Sequence, residues 1–169
     1  MSARAVLIAI AALAVTGIGV AFAQMGGGMM GGYDHGRGYG MHGGMMGNPR
    51  HVYYMHHGLP DDYAGKANPL KNTPDVLAEG RKLYAANCAA CHGAEGHGNG
   101  PMAAQLDPPP ADLQWTLSMP MSQDDFLYWT IAEGGAQFGS SMPAFKSTLK
   151  PNDIWSIVTA LRSGDLRSQ

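Results

Sequence analysis

The two cysteines of this 169-residue chain stand in one pentapeptide, Cys88-Ala89-Ala90-Cys91-His92. Cys-x-x-Cys-His is the covalent attachment signature of a c-type haem. Thiols three residues apart lie close together on one helical turn, so both can add across the two vinyl groups of one porphyrin. The histidine that follows can turn its imidazole onto the iron as the proximal axial ligand. Three other chemistries use paired cysteines. A thioredoxin-like redox pair expects a βαβ pattern, and none surrounds this motif. A zinc site needs two further ligands at metal spacing, and there is no second cysteine pair. A disulfide between cysteines so close in sequence is unattractive.

A closed iron site needs a ligand on the opposite face. The stretch Gly139-Ser140-Ser141-Met142-Pro143-Ala144-Phe145 offers a thioether on a stiff loop, because Pro143 biases Met142 toward an extended conformation. Met102, Met119 and Met121 are further candidates. Met119-Pro120 has the same pairing, so local sequence does not choose among the methionines. His97, five residues past His92, reads as an exposed loop histidine rather than a ligand. Pro108-Pro109-Pro110 is a stiff extended run whose carbonyls can accept from an iron-bound histidine's other ring nitrogen. The glycines at positions 93, 96, 98 and 100 let the backbone pass close to a flat cofactor edge.

These groups need elements to hold them. Thr73-Pro74-Asp75 is a helix start, with Thr as N-cap, Pro at the first helical position and an acid in the first turn. Val76, Leu77, Gly80, Leu83, Tyr84 and Asn87 follow at spacings of three and four, so a helix runs into Cys88. Gly80 lies on its apolar face and suits close approach of another helix. Ser122-Gln123-Asp124-Asp125 opens a second helix as a capping-box variant, with Phe126, Leu127, Thr130 and Ile131 as its stripe and Gly134-Gly135 as its stop. A third runs from Pro151 to about Ser163, with Ile154, Trp155, Val158 and Leu161 inward and Gly164 ending it. No strand-period alternation occurs from 73 to 169, which predicts an all-α domain.

The rest of the chain is organised differently. Residues 1–23 read as a secretory signal: Arg4 as the positive start, an apolar run from Ala5 to Val20, and Ala21-Phe22-Ala23 as the cleavage site. An uncleaved anchor is the alternative, near the lower length limit for a span. Export fits the motif, since haem is attached covalently outside the bacterial cytoplasm. Residues 24–68 form a Met/Gly/His-rich low-complexity segment, expected to be disordered because so much glycine makes ordering expensive. It holds His35, His42, His51, His56 and His57 and seven of the twelve methionines. Thioethers suit Cu(I) and imidazoles suit Cu(II), so copper is a possible partner there, with Met41-His42 and Met45-Met46 as the densest cluster. A plain flexible linker is the other reading. The formal charge of −2 excludes a strongly basic nucleic-acid binder.

The stretch from about Pro69 to Leu166 resembles the class I c-type cytochromes. It is most similar to the bacterial single-haem group that includes the haem subunits of terminal oxidases. The resemblance rests on the helix with Gly80 ahead of Cys-x-x-Cys-His-Gly, the glycine-rich loop, the Met-Pro-Ala-Phe segment at Met142, and the closing helix with Ile154-Trp155 and Leu161-Arg162. It implies a small all-α fold, with three main helices and loops wrapping one covalently attached haem c, over residues 69–169. It also implies that Cys88 and Cys91 hold the porphyrin, that His92 and Met142 are the axial ligands, and that Gly80 meets Trp155 where first and last helices cross. One proline of 108–110 would back His92. Lys150 departs from the family's usual capping residue.

With both axial positions filled there is no open site for substrate. The implied function is therefore electron transfer in the periplasm, between a redox protein donor and acceptor, by a carrier rather than an enzyme. The competing readings are a sensor or enzyme with five-coordinate haem, and a copper-handling protein that uses the Met/His-rich segment beside a haem redox domain.

Overall fold

The computed structural model describes residues 48–167. The signal reading at 1–23 and the Met41–Met46 cluster lie outside them. Among the described residues six α-helices appear in chain order: α1 Pro49–His57, α2 Pro74–Asn87, α3 Ala89–His92, α4 Leu113–Leu117, α5 Asp124–Glu133 and α6 Pro151–Ser163. Two single 3-10 turns, Ala103–Gln105 and Ala136–Phe138, lie in the loops. Among the described residues there is no strand, as an all-α reading requires.

The three expected helices form where their capping residues place them. Thr73 accepts the Val76 amide at the start of α2, and Gly164, at φ 73°, ends α6. Lys150 has no acceptor to cap α6. Instead the Asp153 carboxylate reaches back 2.9 Å to the Lys150 amide, so the first turn is satisfied from inside the helix. One cap differs from expectation. Gln123, not Ser122, is the N-cap of α5; the Ser122 side chain is turned away to the Thr116 carbonyl, to which it donates at 2.7 Å.

Helices α2 and α6 cross at Gly80. A Cβ there would lie 2.1 Å from the Ser156 carbonyl oxygen and 2.9 Å from the Ala160 Cβ. The expected partner, Trp155, is one residue away from this contact, and its ring packs on Tyr128 at 4.3 Å. Eight consecutive residues of α6, Ile154 to Leu161, are buried, so the helix is enclosed on all sides. Helix α5 packs against it with Phe126 to Trp129, Ile131 and Ala132 buried.

Residues 48–68, expected to be disordered, are ordered and belong to this core. Asn48 caps α1 through its side chain. Tyr54 packs on Phe126 with ring centroids 5.0 Å apart. Asn68 donates 2.9 Å to the Thr159 hydroxyl and accepts 3.0 Å from the Leu70 amide, fastening the connector to α6. Tyr54, Leu59 and Tyr63, packed against the core, give this short stretch the apolar surface that the glycine-rich residues before it lack. The folded unit therefore begins about twenty residues before Pro69.

Candidate haem site

The Cys88–His92 motif is a single helical turn at the end of α2. Cys88 donates its amide 2.8 Å to the Tyr84 carbonyl, and the Cys88 carbonyl accepts from the amides of Cys91 and His92 at 3.1 and 2.9 Å. This turn carries both thiols without a disulfide between them. Burial, with Cys91 beside it, pushes the Cys88 thiol up to about 12, so it stays neutral at physiological pH. A half-buried thiol held in its neutral form does not suit a dithiol redox pair, which needs a ready thiolate.

A helix leaves its last carbonyls unpaired, and here the following loop satisfies them. The amide of Gly98 donates to the His92 carbonyl at 2.8 Å, Gly100 to Cys91 at 3.1 Å and Met102 to Ala90 at 2.9 Å. Such an approach requires glycine. A Cβ on Gly100 would lie 2.5 Å from the Ala90 carbonyl oxygen, and one on Gly98 2.6 Å from that of Pro110. The glycines thus bring the backbone against the motif's own turn, where the sequence reading has them flank a cofactor edge. The Tyr84 hydroxyl, fully buried, closes the arrangement by donating 2.8 Å to the Gly93 carbonyl.

His92 Nδ1 lies 3.0 Å from the Ala111 carbonyl oxygen. The backing carbonyl is thus one residue past the triple proline, a correction of one position. Pro110 instead crowds Gly98. A carbonyl only accepts, so Nδ1 carries the proton and the Nε2 lone pair is free. Burial holds the imidazole below its ordinary value, against the hydrogen bond to Ala111, which raises it. The ring is therefore neutral, as an iron ligand must be. Two thiols on one turn beside an imidazole with a free Nε2 fit a c-type haem.

Met142 is half-buried and packs against the core, which Met102, Met119 and Met121 do not. Its backbone is held at both ends: the Gly135 amide donates 2.7 Å to its carbonyl, and its own amide donates 3.2 Å to the Ser140 hydroxyl. Met102 is exposed on the surface. Met119 lines a polar surface cleft of about 680 Å³ with Lys66, Asp124 and Arg162, apart from the Cys88–His92 turn. His97 is exposed and pairs with Asp112 at 3.5 Å, as an ordinary loop histidine does. His51, His56 and His57 lie on α1, and no three His, Cys, Asp or Glu among the described residues are grouped to hold a metal ion.

Residues that sequence reasoning missed include Ala111, which has no distinguishing side chain, and Arg50, hidden in the low-complexity stretch. The signal for Arg50 is Asn48-Pro49 directly before it, the same cap-then-proline start seen at Thr73-Pro74.

Comparison with known proteins places this arrangement. The family model "Cytochrome C oxidase, cbb3-type, subunit III" matches residues 75–159, half of the chain. The cbb3-type cytochrome c oxidase subunit FixP of Bradyrhizobium diazoefficiens is 35% identical over 86 residues, which are 51% of this chain and 27% of FixP. The chain thus matches about a quarter of that relative's length. A solved chain of the reducing HAO-like protein complex of Kuenenia stuttgartiensis shares the fold, with a TM-score of 0.50 and 23% identity, over 67% of this chain and 54% of that one. The helical fold and the family match agree: the chain belongs to the cytochrome c family of cbb3-type oxidase subunit III, a class I c-type cytochrome whose cofactor is covalently attached haem c.

Proposed function

We propose that this protein is a periplasmic single-haem electron carrier. Haem c supplies one-electron exchange between ferric and ferrous iron. Cys88 and Cys91 would hold the porphyrin through thioether bonds, and His92 Nε2 and the Met142 thioether would ligate the iron. The observation that carries this reading is the His92 imidazole, neutral and oriented by Ala111 with Nε2 free. The hydrogen bond to Ala111 fixes the ring and raises the electron-donating strength of Nε2. His/Met ligation places the potential above that of most other ligand pairs. Buried Trp155 and Phe145 would supply low-dielectric surroundings that disfavour the extra positive charge of ferric iron.

Export through residues 1–23 suits the covalent attachment. Among the described residues no helix is long and apolar enough to cross a membrane. The FixP resemblance favours a place beside or within an oxidase-type complex, with the donor and acceptor both redox proteins docking weakly.

Visible spectra of the purified holoprotein test this reading, with Met142→Ala beside it. Low-spin iron with the weak red-edge thioether-to-iron band is expected, and Met142→Ala should keep the haem while opening the sixth position. High-spin iron that binds carbon monoxide readily in the unaltered protein would overturn it.

A further inference from the structure

Arg50 is an anomaly of this fold. It lies on a nine-residue surface helix, yet it is only 7% exposed. Its guanidinium carbon sits 4.9 Å from the Trp129 ring centroid and 4.8 Å from that of Phe138, over two rings that themselves meet edge to face at 5.8 Å. Its Nη2 donates to the Gly134 carbonyl. Its Nη1 is buried without a hydrogen-bond partner. An apolar side chain of similar volume would fill the same space without that cost. Packing alone therefore does not account for an arginine here.

What the guanidinium touches is informative. Trp129 is on α5 and is fully buried, a fixed wall. Gly134 is the residue where α5 ends, at φ 64°. Phe138 lies in the loop that follows. Arg50 thus joins the start of the Gly134–Phe145 loop to the helix before it, at two points. The next residue, Gly135, donates its amide to the Met142 carbonyl, and the Gly135 carbonyl accepts from Ser140 at 3.0 Å. The loop's small residues (Gly134, Gly135, Gly139, Ser140, Ser141) give it little stiffness of its own. Its internal bonds tie Met142 to Gly135, and Arg50 ties the adjoining Gly134 to the core.

We propose that Arg50 is a positioning residue for Met142: by clamping Gly134 and Phe138 against Trp129, it sets how firmly the loop presents the Met142 thioether to the iron. This rests on Met142 being the sixth ligand. A thioether is a weak neutral ligand, so its hold on iron is sensitive to the freedom of the chain that carries it. Lysine would not serve, because only a guanidinium can rest over ring faces while donating from a fixed fork.

The test uses the full-length holoprotein with Arg50→Met, Arg50→Lys and, as a second way into the same clamp, Phe138→Leu. Three quantities are read: the thioether-to-iron band, the affinity of ferric iron for added imidazole, and the global unfolding midpoint. Imidazole affinity should rise about tenfold in Arg50→Met, the size of one charge-assisted hydrogen bond, with the band fading at a lower temperature than global unfolding. Arg50→Lys should not restore it, and Phe138→Leu should move it in the same direction. Unchanged imidazole affinity in Arg50→Met and Phe138→Leu, whatever happens to the unfolding midpoint, would overturn the proposal and leave Arg50 a packing residue. Met142→Ala separates the two readings. If it keeps the band, the ligand assignment has failed. If it loses the band while Arg50→Met leaves imidazole affinity unchanged, only the positioning role has failed.

Discussion

The Nδ1 atom of His92 is held 3.0 Å from the carbonyl oxygen of Ala111, and Gly98 is packed against that same stretch. A Cβ at Gly98 would lie 2.6 Å from the Pro110 carbonyl oxygen and 3.2 Å from that of Ala111. Gly98→Ala should therefore push the backing carbonyl away from the ring. The φ of +71° at this position adds strain of its own. We expect a loss of about 1–3 kcal/mol in stability. The potential should also rise, because an imidazole without its acceptor donates less to the iron. Denaturant unfolding and a redox titration of holoprotein check the two parts. A potential that falls would contradict the role given to Ala111.

Gly80 supports the site from further away. It lets α2, which ends in Cys88, lie directly against the backbone of α6 at Ser156. Gly80→Ala places a methyl 2.1 Å from a main-chain oxygen that cannot turn aside. The helices must separate, at about 2–3 kcal/mol for overpacking. Gly80→Val should cost more, and both should lower the yield of protein with haem attached. Thermal melts followed at the Soret band measure this.

The parts of this fold legible in the sequence are those where one local rule acts alone. Thr73-Pro74 and the glycines at 134 and 164 mark helix ends by backbone chemistry that needs no tertiary partner. The spacing of Cys88, Cys91 and His92 names their chemistry in the same way. The misreadings arise where two residues compete for one role. Ser122 is the better cap by type, but its side chain is turned toward the Thr116 carbonyl rather than the α5 amides. Ala111 backs His92 because chain direction, not side-chain type, decides which carbonyl arrives. Helix α1 is masked by averaging, since Tyr53 and Tyr54 follow a glycine- and methionine-rich run whose composition dominates any window that includes it.

Glu133 gives the domain an acid-sensitive joint. Lys146 donates to both of its carboxylate oxygens, at 2.9 and 2.7 Å, and the Tyr63 hydroxyl donates as well. These bonds, Lys146 first, hold its carboxyl below the ordinary 4.5. A carboxyl that protonates later in the folded chain than in the unfolded one stabilises the fold fully above about pH 4.5 and loses that contribution as pH falls through the lower folded value. Glu133→Gln should remove this part of the acid limb. At neutral pH the partly exposed pair is worth no more than about 1 kcal/mol, so the variant should stay folded. Unfolding midpoints measured from pH 7 down to pH 3 should converge for the two proteins at the acid end.

The boundary of the folded unit makes the last prediction. If the domain began at Pro69, removing residues 1–58 would leave it unharmed. Helix α1, however, covers the outer face of α5. Tyr54 packs on Phe126, Tyr53 lies 6.2 Å from Trp129 between ring centroids, and Arg50 covers Trp129 and Phe138. Without α1, Trp129 and Phe126 would meet water, and the Gly134 carbonyl would lose its donor. Exposing two large aromatic faces costs about 2–4 kcal/mol. The chain lacking residues 1–58 should therefore melt well below the chain lacking residues 1–47, with its tryptophan fluorescence shifted to the red before any haem is lost. Equal melting temperatures would mean that α1 adds nothing to the stability of the fold.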